Sequence, residues 1–339
     1  MLGRICSGRI SLAVGVLGLV LAVSVGLWLF LAASFEPNGR TNAVFQFLDA
    51  LVVTPVAEQF RHVVFTKQFV AFMGLIALLA VVVPATRKEP ILSKGLFQDV
   101  FWFLYQPVVF VVIFATWLTW LPNFFDAHLG NLKTDIVTQW PAWGRLVLGI
   151  LIADFMHWVQ HVMLHKIPIL WNFHKVHHSQ QQLNVFTNFR VHAVDHVLLM
   201  TLRAVPLLIL SFEIPEVFIV LVFQKWHPWF THANVRTNLG PLKYVLVTPQ
   251  SHRVHHSVEA EHRDKNFGSL LSIWDHLFGT QVRNYDVYPG TGIGDKGYPL
   301  EQGVAWWMLP VMPIVQMFQP FREIGRDLLR QRGRKRALQ

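Results

Sequence analysis

Cysteine is almost missing from this chain, which has Cys6 and no other among its 339 residues. A single thiol excludes an internal disulfide framework, an iron–sulfur cluster with its usual thiolates and a zinc site of the CxxC type. The sequence instead contains 17 histidines, most of them in its second half. Any metal chemistry in this protein must therefore depend on histidine.

Charge is also scarce, because only 14% of the residues are charged whereas 53% are hydrophobic. These values lie outside the range of soluble globular proteins and indicate a membrane protein. Residues 11–34 carry no charge over a length that can span a bilayer, and Arg4 and Arg9 precede them. We interpret this stretch as an uncleaved first span with a cytoplasmic amino end, with a secretory signal peptide as the alternative.

Further apolar stretches predict an all-α integral membrane protein, a multi-span helical bundle with a cytoplasmic, histidine-rich cap that binds metal. About four spans are expected, and those after the first are predicted at 69–84, 100–120 and 143–160, with a helical hairpin at 193–232. Arg87, Lys88 and Lys94 form a basic loop that marks the cytoplasmic side. Arg203 lies within the hairpin, where a charge must face protein or water, and we expect a structural role for it.

The carboxyl-terminal part combines an apolar segment with a basic tail. The segment GVAWWMLPVMPIVQMFQPF has three prolines and is short for a span, so we predict that it lies in the interface or re-enters the membrane. The tail FREIGRDLLRQRGRKRALQ is strongly basic. Beside a membrane segment, contact with anionic lipid heads is a simpler explanation than nucleic-acid binding, and we expect no nucleic-acid partner.

Three groups of spaced histidines stand at the ends of apolar segments. They are His161 and His165, then His174, His177 and His178, and finally His252, His255 and His256. On helices, residues three and four apart project from roughly one face, and imidazole is a common ligand of zinc, copper and iron. An isolated histidine is usually solvated or hydrogen-bonded, but clustered imidazoles in a chain of net charge +9 would repel one another once protonated. A metal keeps such residues neutral, and eight candidate ligands are too many for one ion.

The order and spacing of these groups carry a resemblance to a known family. The boxes HVMLH, HKVHH and HRVHH, together with WNFHKVHHS, NFG at 266–268 and WDHLFGT at 274–280, are similar to those of the fatty acid hydroxylase or sterol desaturase superfamily. The resemblance covers roughly residues 145–280. It implies a catalytic domain at 141–283. Hydropathy and charge predict an N-terminal transmembrane region at 1–140 and an interfacial segment with a basic tail at 284–339.

The resemblance also implies two non-haem iron ions on the cytoplasmic face, which use O2 to hydroxylate or desaturate a lipid. Carried over by position, it gives as metal ligands the eight histidines above and also His227 and His232. These last two are five residues apart, with Pro228 between them able to break a helix. His192 resembles a family histidine less closely, and both it and His157 are left open between ligation and a supporting hydrogen bond.

Several polar residues near the boxes are candidates for supporting roles. Asp154, Asp195, Asp264 and Asp275 are expected to fix histidine tautomers, and capping or ordering the carboxyl end of the cytoplasmic region is an equal alternative for Asp275. Arg190 is expected to contact a lipid headgroup or to form an ion pair, with a structural salt bridge as the other interpretation.

The functional prediction is O2-dependent oxidation of a lipid such as a fatty acyl chain or sterol. The chain has no haem, flavin or nicotinamide motif, so a separate reductase or small redox carrier must supply electrons. The expected location is a bacterial inner membrane or the endoplasmic reticulum. One alternative is a histidine-ligated zinc hydrolase or metal transporter, although the HExxH motif is absent. The other is a membrane haem electron-transfer protein, although bis-imidazole haem ligands usually come from facing spans.

Overall fold

Helices account for the regular structure in the part of the chain that the computed structural model describes. These residues are 67–86, 92–213, 216–217, 220–221, 224, 226–295 and 297–337. The predicted span at 11–34 and the basic residues Arg87 and Lys88 lie outside them. Residues 65–339 form one compact unit. The predicted boundaries after residues 140 and 283 stay predictions.

Nine α-helices have bounds within these ranges. In chain order they are α1 (Lys67–Val82), α2 (Lys94–Leu129), α3 (Ala142–Lys166), α4 (Pro168–His178), α5 (Ala193–Ile209), α6 (His227–Thr231), α7 (Pro249–His255), α8 (Ile273–Leu277) and α9 (Met312–Ala337). Short 3₁₀ segments lie at Gly130–Leu132, Val185–Phe189, Gly240–Tyr244, Ala260–His262, Glu301–Gly303 and Trp306–Val311. Within the same ranges β-pairing is limited to isolated bridges at Pro84 and Val235, Leu246 and Leu271, and Ser257 and Thr291.

The join between α3 and α4 brings the first two histidine boxes together. The helix α3 ends at Lys166, and α4 begins two residues later with Pro168 at its first position, where a missing N–H has no cost. The residue before a proline disfavours helical torsions, and Ile167 accordingly has an extended conformation. The chain therefore turns sharply, and α4 packs back against α3.

The third box lies on a short helix that its own sequence caps. The Thr248 hydroxyl accepts a hydrogen bond from the Ser251 amide, and the Ser251 hydroxyl accepts one from the Thr248 amide. This reciprocal capping, with Pro249 at the first helical position, allows a helix of only 7 residues to form. It presents His252 and His255 on successive turns.

The main apolar core lies where α2, α3 and α5 meet. It includes Phe125, Ala153 and Leu207, each at most 1% exposed. Gly149 lets α3 approach its neighbours closely, because a Cβ there would lie 2.9 Å from a methyl group of Val220. The core thus holds α3 rigidly just before the first histidine box.

The helices agree only in part with the predicted membrane spans. Within the described residues, α3, with 25 residues, is the one helix long and apolar enough to cross a membrane. The stretch predicted at 69–84 forms the shorter helix α1, and the stretch at 100–120 lies within the 36 residues of α2. The first arm of the predicted hairpin is α5, and the chain turns at Ser211, which has a φ of 57°. An all-helical architecture is confirmed for this part of the chain, whereas the multi-span bundle stays a prediction.

A buried ion pair network links distant parts of the chain. The guanidinium of Arg190 donates to Asp99 on α2 at 2.7 Å and to Glu301 at 3.2 Å, and all three side chains are 0% exposed. Gln180, Asn184 and Thr187 also donate hydrogen bonds to Asp99. Of the two interpretations of Arg190, the structure gives the internal salt bridge.

Replacing this arginine should destabilise the protein strongly. Arg190→Met leaves two buried carboxylates without a counter-charge, and we expect a loss of about 3–5 kcal/mol in the free energy of unfolding. Thermal unfolding in detergent measures the change. Arg236→Met is the control, because Arg236 is exposed and contacts the ring of Tyr288, so the loss should stay under about 1 kcal/mol. Equal midpoints for the two variants would contradict this prediction.

Candidate metal centre

Nine histidines converge in two adjoining groups. Group A, as we name it, contains His161, His165, His174, His178 and His255, and group B contains His177, His232, His252 and His256. Within each group one ring nitrogen of every member lies within 4.8 Å of the others. The groups touch, since the rings of His178 and His256 stack at a centroid distance of 4.4 Å. Each group can hold one metal ion.

Helix α4 contributes to both groups. His174 and His178 are four residues apart, project from one face and join group A together with the α3 pair. His177 is one residue from His178 and about 100° away around the helix, so it joins group B. The second box is therefore divided between the two groups.

Helix α7 is divided in the same way. His252 and His256 are four residues apart and join group B, whereas His255 faces group A. His232, directly after α6, completes group B, and its Nε2 lies 2.9 Å from Nε2 of His252. The three sequence boxes thus do not correspond to the two ligand sets.

The outward nitrogens of five histidines are engaged by acceptors. In each case Nδ1 contacts an oxygen: Phe267 O for His161 (2.8 Å), Asp195 Oδ2 for His174 (3.1 Å), Arg190 O for His177 (3.2 Å), Pro228 O for His232 (2.7 Å) and Lys265 O for His255 (2.8 Å). A carbonyl or carboxylate oxygen only accepts hydrogen bonds, so Nδ1 must carry the proton. In the neutral ring, Nε2 then carries a lone pair, and this lone pair points inward.

These inward lone pairs face one another at short range. Nε2 of His161 lies 3.1 Å from Nε2 of His174, and Nε2 of His177 lies 3.2 Å from Nε2 of His232. Neither partner has a proton to donate, so each pair is repulsive unless a cation binds both nitrogens. Two nitrogens bound to one ion at about 2.1 Å lie about 3.0–3.4 Å apart at angles between a right angle and a tetrahedral one. The donor set therefore fits a metal ion in each group.

Burial keeps these histidines neutral. It lowers the pKa values of His174, His177 and His178 well below the usual range, and neighbouring imidazoles lower them further. Burial also lowers the pKa of His232 to about 4. The three histidines of the last box behave in the same way. Near neutral pH the rings are therefore in the form that binds metals.

Three further histidines singled out in the sequence lie outside both groups. Nε2 of His227 contacts the carbonyl oxygen of Val247 at 2.7 Å, so this predicted ligand is turned away from the centre. Both ring nitrogens of His192 are engaged, one by the Val194 amide and one by the carbonyl oxygen of Met317. His157 accepts a hydrogen bond from Arg203 at 2.7 Å. Of the ten predicted ligands, the structure brings nine together.

Carboxylates support the centre in two different ways. Asp195 directly fixes His174, and Asp264 lies 3.6 Å from Nδ1 of His165. Asp154 and Asp275 instead accept hydrogen bonds from backbone amides of the loop 267–271. This loop presents the carbonyl oxygen that holds His161.

The NFG motif at 266–268 has a structural explanation that spacing alone did not reveal. Asn266 adopts a left-handed conformation with a φ of 55°. Gly268 leaves room for the tight loop, because a Cβ there would lie 2.7 Å from the carbonyl oxygen of Leu271. The motif therefore shapes the backbone that orients a ligand.

A cavity of about 90 Å³ opens beside the two groups. His161 and His174 of group A and His177, His232 and His252 of group B line it. A molecule in this cavity would contact both candidate metal sites. Its other walls come mainly from α3, α5 and the region around α6.

Comparison with known proteins finds similar sequences for the histidine-rich region. Residues 146–280 match the fatty acid hydroxylase family model. The chain is 34% identical to ornithine lipid hydroxylase of Rhizobium tropici over 188 residues, which cover 56% of this chain and 54% of that protein. It is 37% identical to alkylglycerol monooxygenase of Homo sapiens over 165 residues (48% and 35%), and 28% identical to cholesterol 25-hydroxylase of Homo sapiens over 147 residues (40% and 50%).

The matched part spans about half or less of the length of each of these relatives. No solved structure matches the chain. The family match begins within α3 and ends just after α8, so it encloses all nine converging histidines. The resemblance inferred from the boxes is confirmed, because the histidine-rich region at residues 146–280 matches the fatty acid hydroxylase family model.

Proposed function

We propose that this protein is a membrane-bound, O2-dependent lipid oxygenase in which the two histidine groups hold two iron ions. The observation that carries the proposal is the pair of adjoining groups whose imidazole lone pairs converge. Imidazole suits iron, zinc and copper alike, so the family supplies the choice of a redox-active metal. Three relatives are named as hydroxylases or monooxygenases, which favours oxidation over hydrolysis.

The reaction follows from what the site can hold. Bound iron would supply the capacity to reduce O2 and to cleave an unactivated C–H bond. In a hydroxylation, one oxygen atom enters the C–H bond and the other leaves as water, which consumes two electrons and two protons. The sequence has no motif for an electron-carrying cofactor, so a separate reductase or small redox carrier is the proposed electron donor. We favour hydroxylation over desaturation because the relatives' names state it.

The residues of the chain would orient the ligands and exclude solvent. The acceptors at Nδ1 of five histidines hold each ring in one tautomer with Nε2 directed inward. The side chains of groups A and B are almost fully buried, and His256 is 0% exposed. Such a site limits unproductive reactions with water. The cavity beside both groups is the proposed place for the oxidised part of the lipid.

Exposed apolar faces support a membrane location. On α3, Trp143, Val147 and Leu151 follow one another at intervals of four residues, and Trp143 is 73% exposed. On α9, Ile314, Phe318 and Phe321 form a similar exposed face. Contiguous apolar surface of this kind marks contact with lipid. We propose that α3 spans the bilayer, that α9 lies at its interface, and that the centre is on the cytoplasmic side of a bacterial inner membrane or the endoplasmic reticulum.

The first test is metal content. We expect two irons per chain in protein purified after expression with ample iron, measured by mass spectrometry of the metals. His161→Ala in group A and His232→Ala in group B should each lower the iron content, because each removes one inward nitrogen. His227→Ala is the matched control and should retain both irons, since its ring faces the Val247 carbonyl.

Turnover completes this test. Incubation with a lipid extract, O2 and a reductant should produce a lipid whose mass is greater by one oxygen atom, and the two ligand variants should not form it. Zinc as the only bound metal, or equal iron loss in the His227→Ala variant, would contradict the proposal.

A second prediction concerns the carboxylate that holds His174. Asp195→Asn should weaken metal binding by about 10–100-fold, because an amide no longer fixes the ring in the required tautomer. Competition with a chelator measures the affinity. Asp126→Asn is the control, since Asp126 pairs with Lys133 on the surface away from the centre. Unchanged affinity in Asp195→Asn would show that Asp195 does not orient the ligand.

A third prediction tests the orientation of α3. With Cys6 replaced by serine, a spin label on Val147→Cys should be more accessible to O2 than to a polar nickel chelate, because lipid would surround it. A label on Glu261→Cys should behave in the opposite way, since Glu261 is strongly exposed on a polar segment. Paramagnetic relaxation measurements in vesicles compare the two positions. Equal accessibility to the polar chelate would argue against a membrane-spanning α3.

A further inference from the structure

Five polar side chains other than histidine line the cavity beside the two histidine groups. They are Gln160, Asn188, Asp195, Arg203 and Gln224, and they share the lining with apolar residues such as Leu164, Val191 and Leu199. A cavity that accepted only a hydrocarbon chain would be lined by apolar side chains. These polar side chains on the cavity wall therefore indicate an occupant with polar groups as well as apolar ones.

Arg203 is the most unusual of these residues. Its side chain lies on α5 and is 4% exposed. One terminal nitrogen donates to Nδ1 of His157 at 2.7 Å, and Nε has no hydrogen-bond partner. Within the described residues no carboxylate forms an ion pair with Arg203. Asp154 is the nearby acid whose charge favours the protonated guanidinium, but its oxygens accept hydrogen bonds from Leu270, Leu271 and Trp274 instead.

A comparison with Arg190 makes the difference clear. Both guanidinium groups are buried, but Arg190 contacts two carboxylates. Burying a cation without a counter-ion is costly, and an anion bound beside it offsets that cost. The structural role expected for Arg203 from its sequence position would require such a counter-ion within the protein. Its place on the cavity wall instead favours a counter-ion on the ligand.

Two more polar atoms on the same wall lack partners. They are Oδ1 of Asp195 and Oε1 of Gln224, and both are acceptors when the carboxylate is ionised. Together with Arg203 the wall offers a cationic donor and two acceptors. The complementary occupant has an anionic oxygen and at least one N–H or O–H group. A lipid headgroup meets this description, whereas a hydrocarbon or a sterol ring system does not.

The position of Arg203 would place such a headgroup near the candidate metal centre. Its partner His157 is one turn before His161 of group A on α3, and the rings of the two histidines are 6.0 Å apart. Along α5, Asp195 lies eight residues before Arg203, or about 12 Å along the axis, and contacts His174 of the same group. An anion held at Arg203 would thus lie close to group A.

We propose that Arg203 binds the anionic oxygen group, a carboxylate or a phosphate, of the lipid that enters this cavity. The substrate class is then a polar lipid with an acidic headgroup. The assignment of this lipid as substrate rests on the proposed function, whereas the anion site itself rests on the contacts of Arg203 alone.

Binding of simple amphiphiles tests the proposal without turnover. Metal-loaded protein in neutral detergent is titrated calorimetrically with dodecyl phosphate, laurate and dodecanol, which share one chain and differ in charge. We expect at least one of the two anions to bind about tenfold more tightly than dodecanol, the size of a charge-assisted hydrogen bond. Arg203→Gln should remove this preference and leave dodecanol binding and metal content unchanged, whereas Arg203→Lys should retain a preference for anions.

Arg145→Gln is the matched control. Arg145 is a partly buried arginine on α3 that pairs with Glu216 away from the cavity, and its replacement should not alter the preference for anions.

Equal anion preference in the unmodified protein and in Arg203→Gln, or no preference in either, would overturn the proposal. Loss of metal from Arg203→Gln would instead assign Arg203 a structural role. Inorganic phosphate that binds as tightly as dodecyl phosphate would overturn the assignment to a lipid. Because these readouts need no product, they remain decisive even if the bound metal is zinc.

Discussion

The structure depends on one constraint: nine imidazoles converge, and five of them direct an Nε2 lone pair at their neighbours. Each ring that contacts a carbonyl or carboxylate through Nδ1 has no proton on Nε2, and the inward nitrogens of His161 and His174 lie 3.1 Å apart. Such an arrangement is repulsive by itself and becomes favourable with a cation in each group. Much of the surrounding polar structure holds this arrangement, including the Asp195 carboxylate, the loop 266–271 and the capping of α7.

The scaffold around the centre is held by charge as well as by apolar packing. Arg190 forms ion pairs with Asp99 and Glu301 in the interior, and its own carbonyl oxygen accepts the hydrogen bond of His177. The same residue therefore joins α2, the 3₁₀ segment Glu301–Gly303 and a ligand of group B. Packing of α2, α3 and α5 through Phe125 and Ala153 fixes the helix that carries the first box. Both kinds of contact therefore hold the centre in place.

Local periodicity predicts the part of the centre that lies within single helices. The spacing of His174, His177 and His178 indicates a metal-binding helix, and the family resemblance adds His232. The other features of the centre depend on contacts between residues far apart in the sequence, which the sequence alone does not predict. Division of each box between two groups depends on how α3, α4 and α7 cross, and the partners of Arg190 are 91 and 111 residues away. Spacing also does not reveal that the ring of His227 turns toward the Val247 carbonyl and lies outside both groups. The all-helical fold follows from composition, but the number of spans depends on segments outside the described residues.

The position of Glu301 has a consequence for the order in which the protein matures. All nine converging histidines lie between residues 161 and 256, so they leave the ribosome before Glu301 does. Until then, of its two acidic partners in the described residues, Arg190 has Asp99 alone, and the carbonyl that orients His177 belongs to a residue whose surroundings are incomplete. We therefore expect group B to reach its final geometry late in biosynthesis, after a segment that contributes no ligand has been made and has docked.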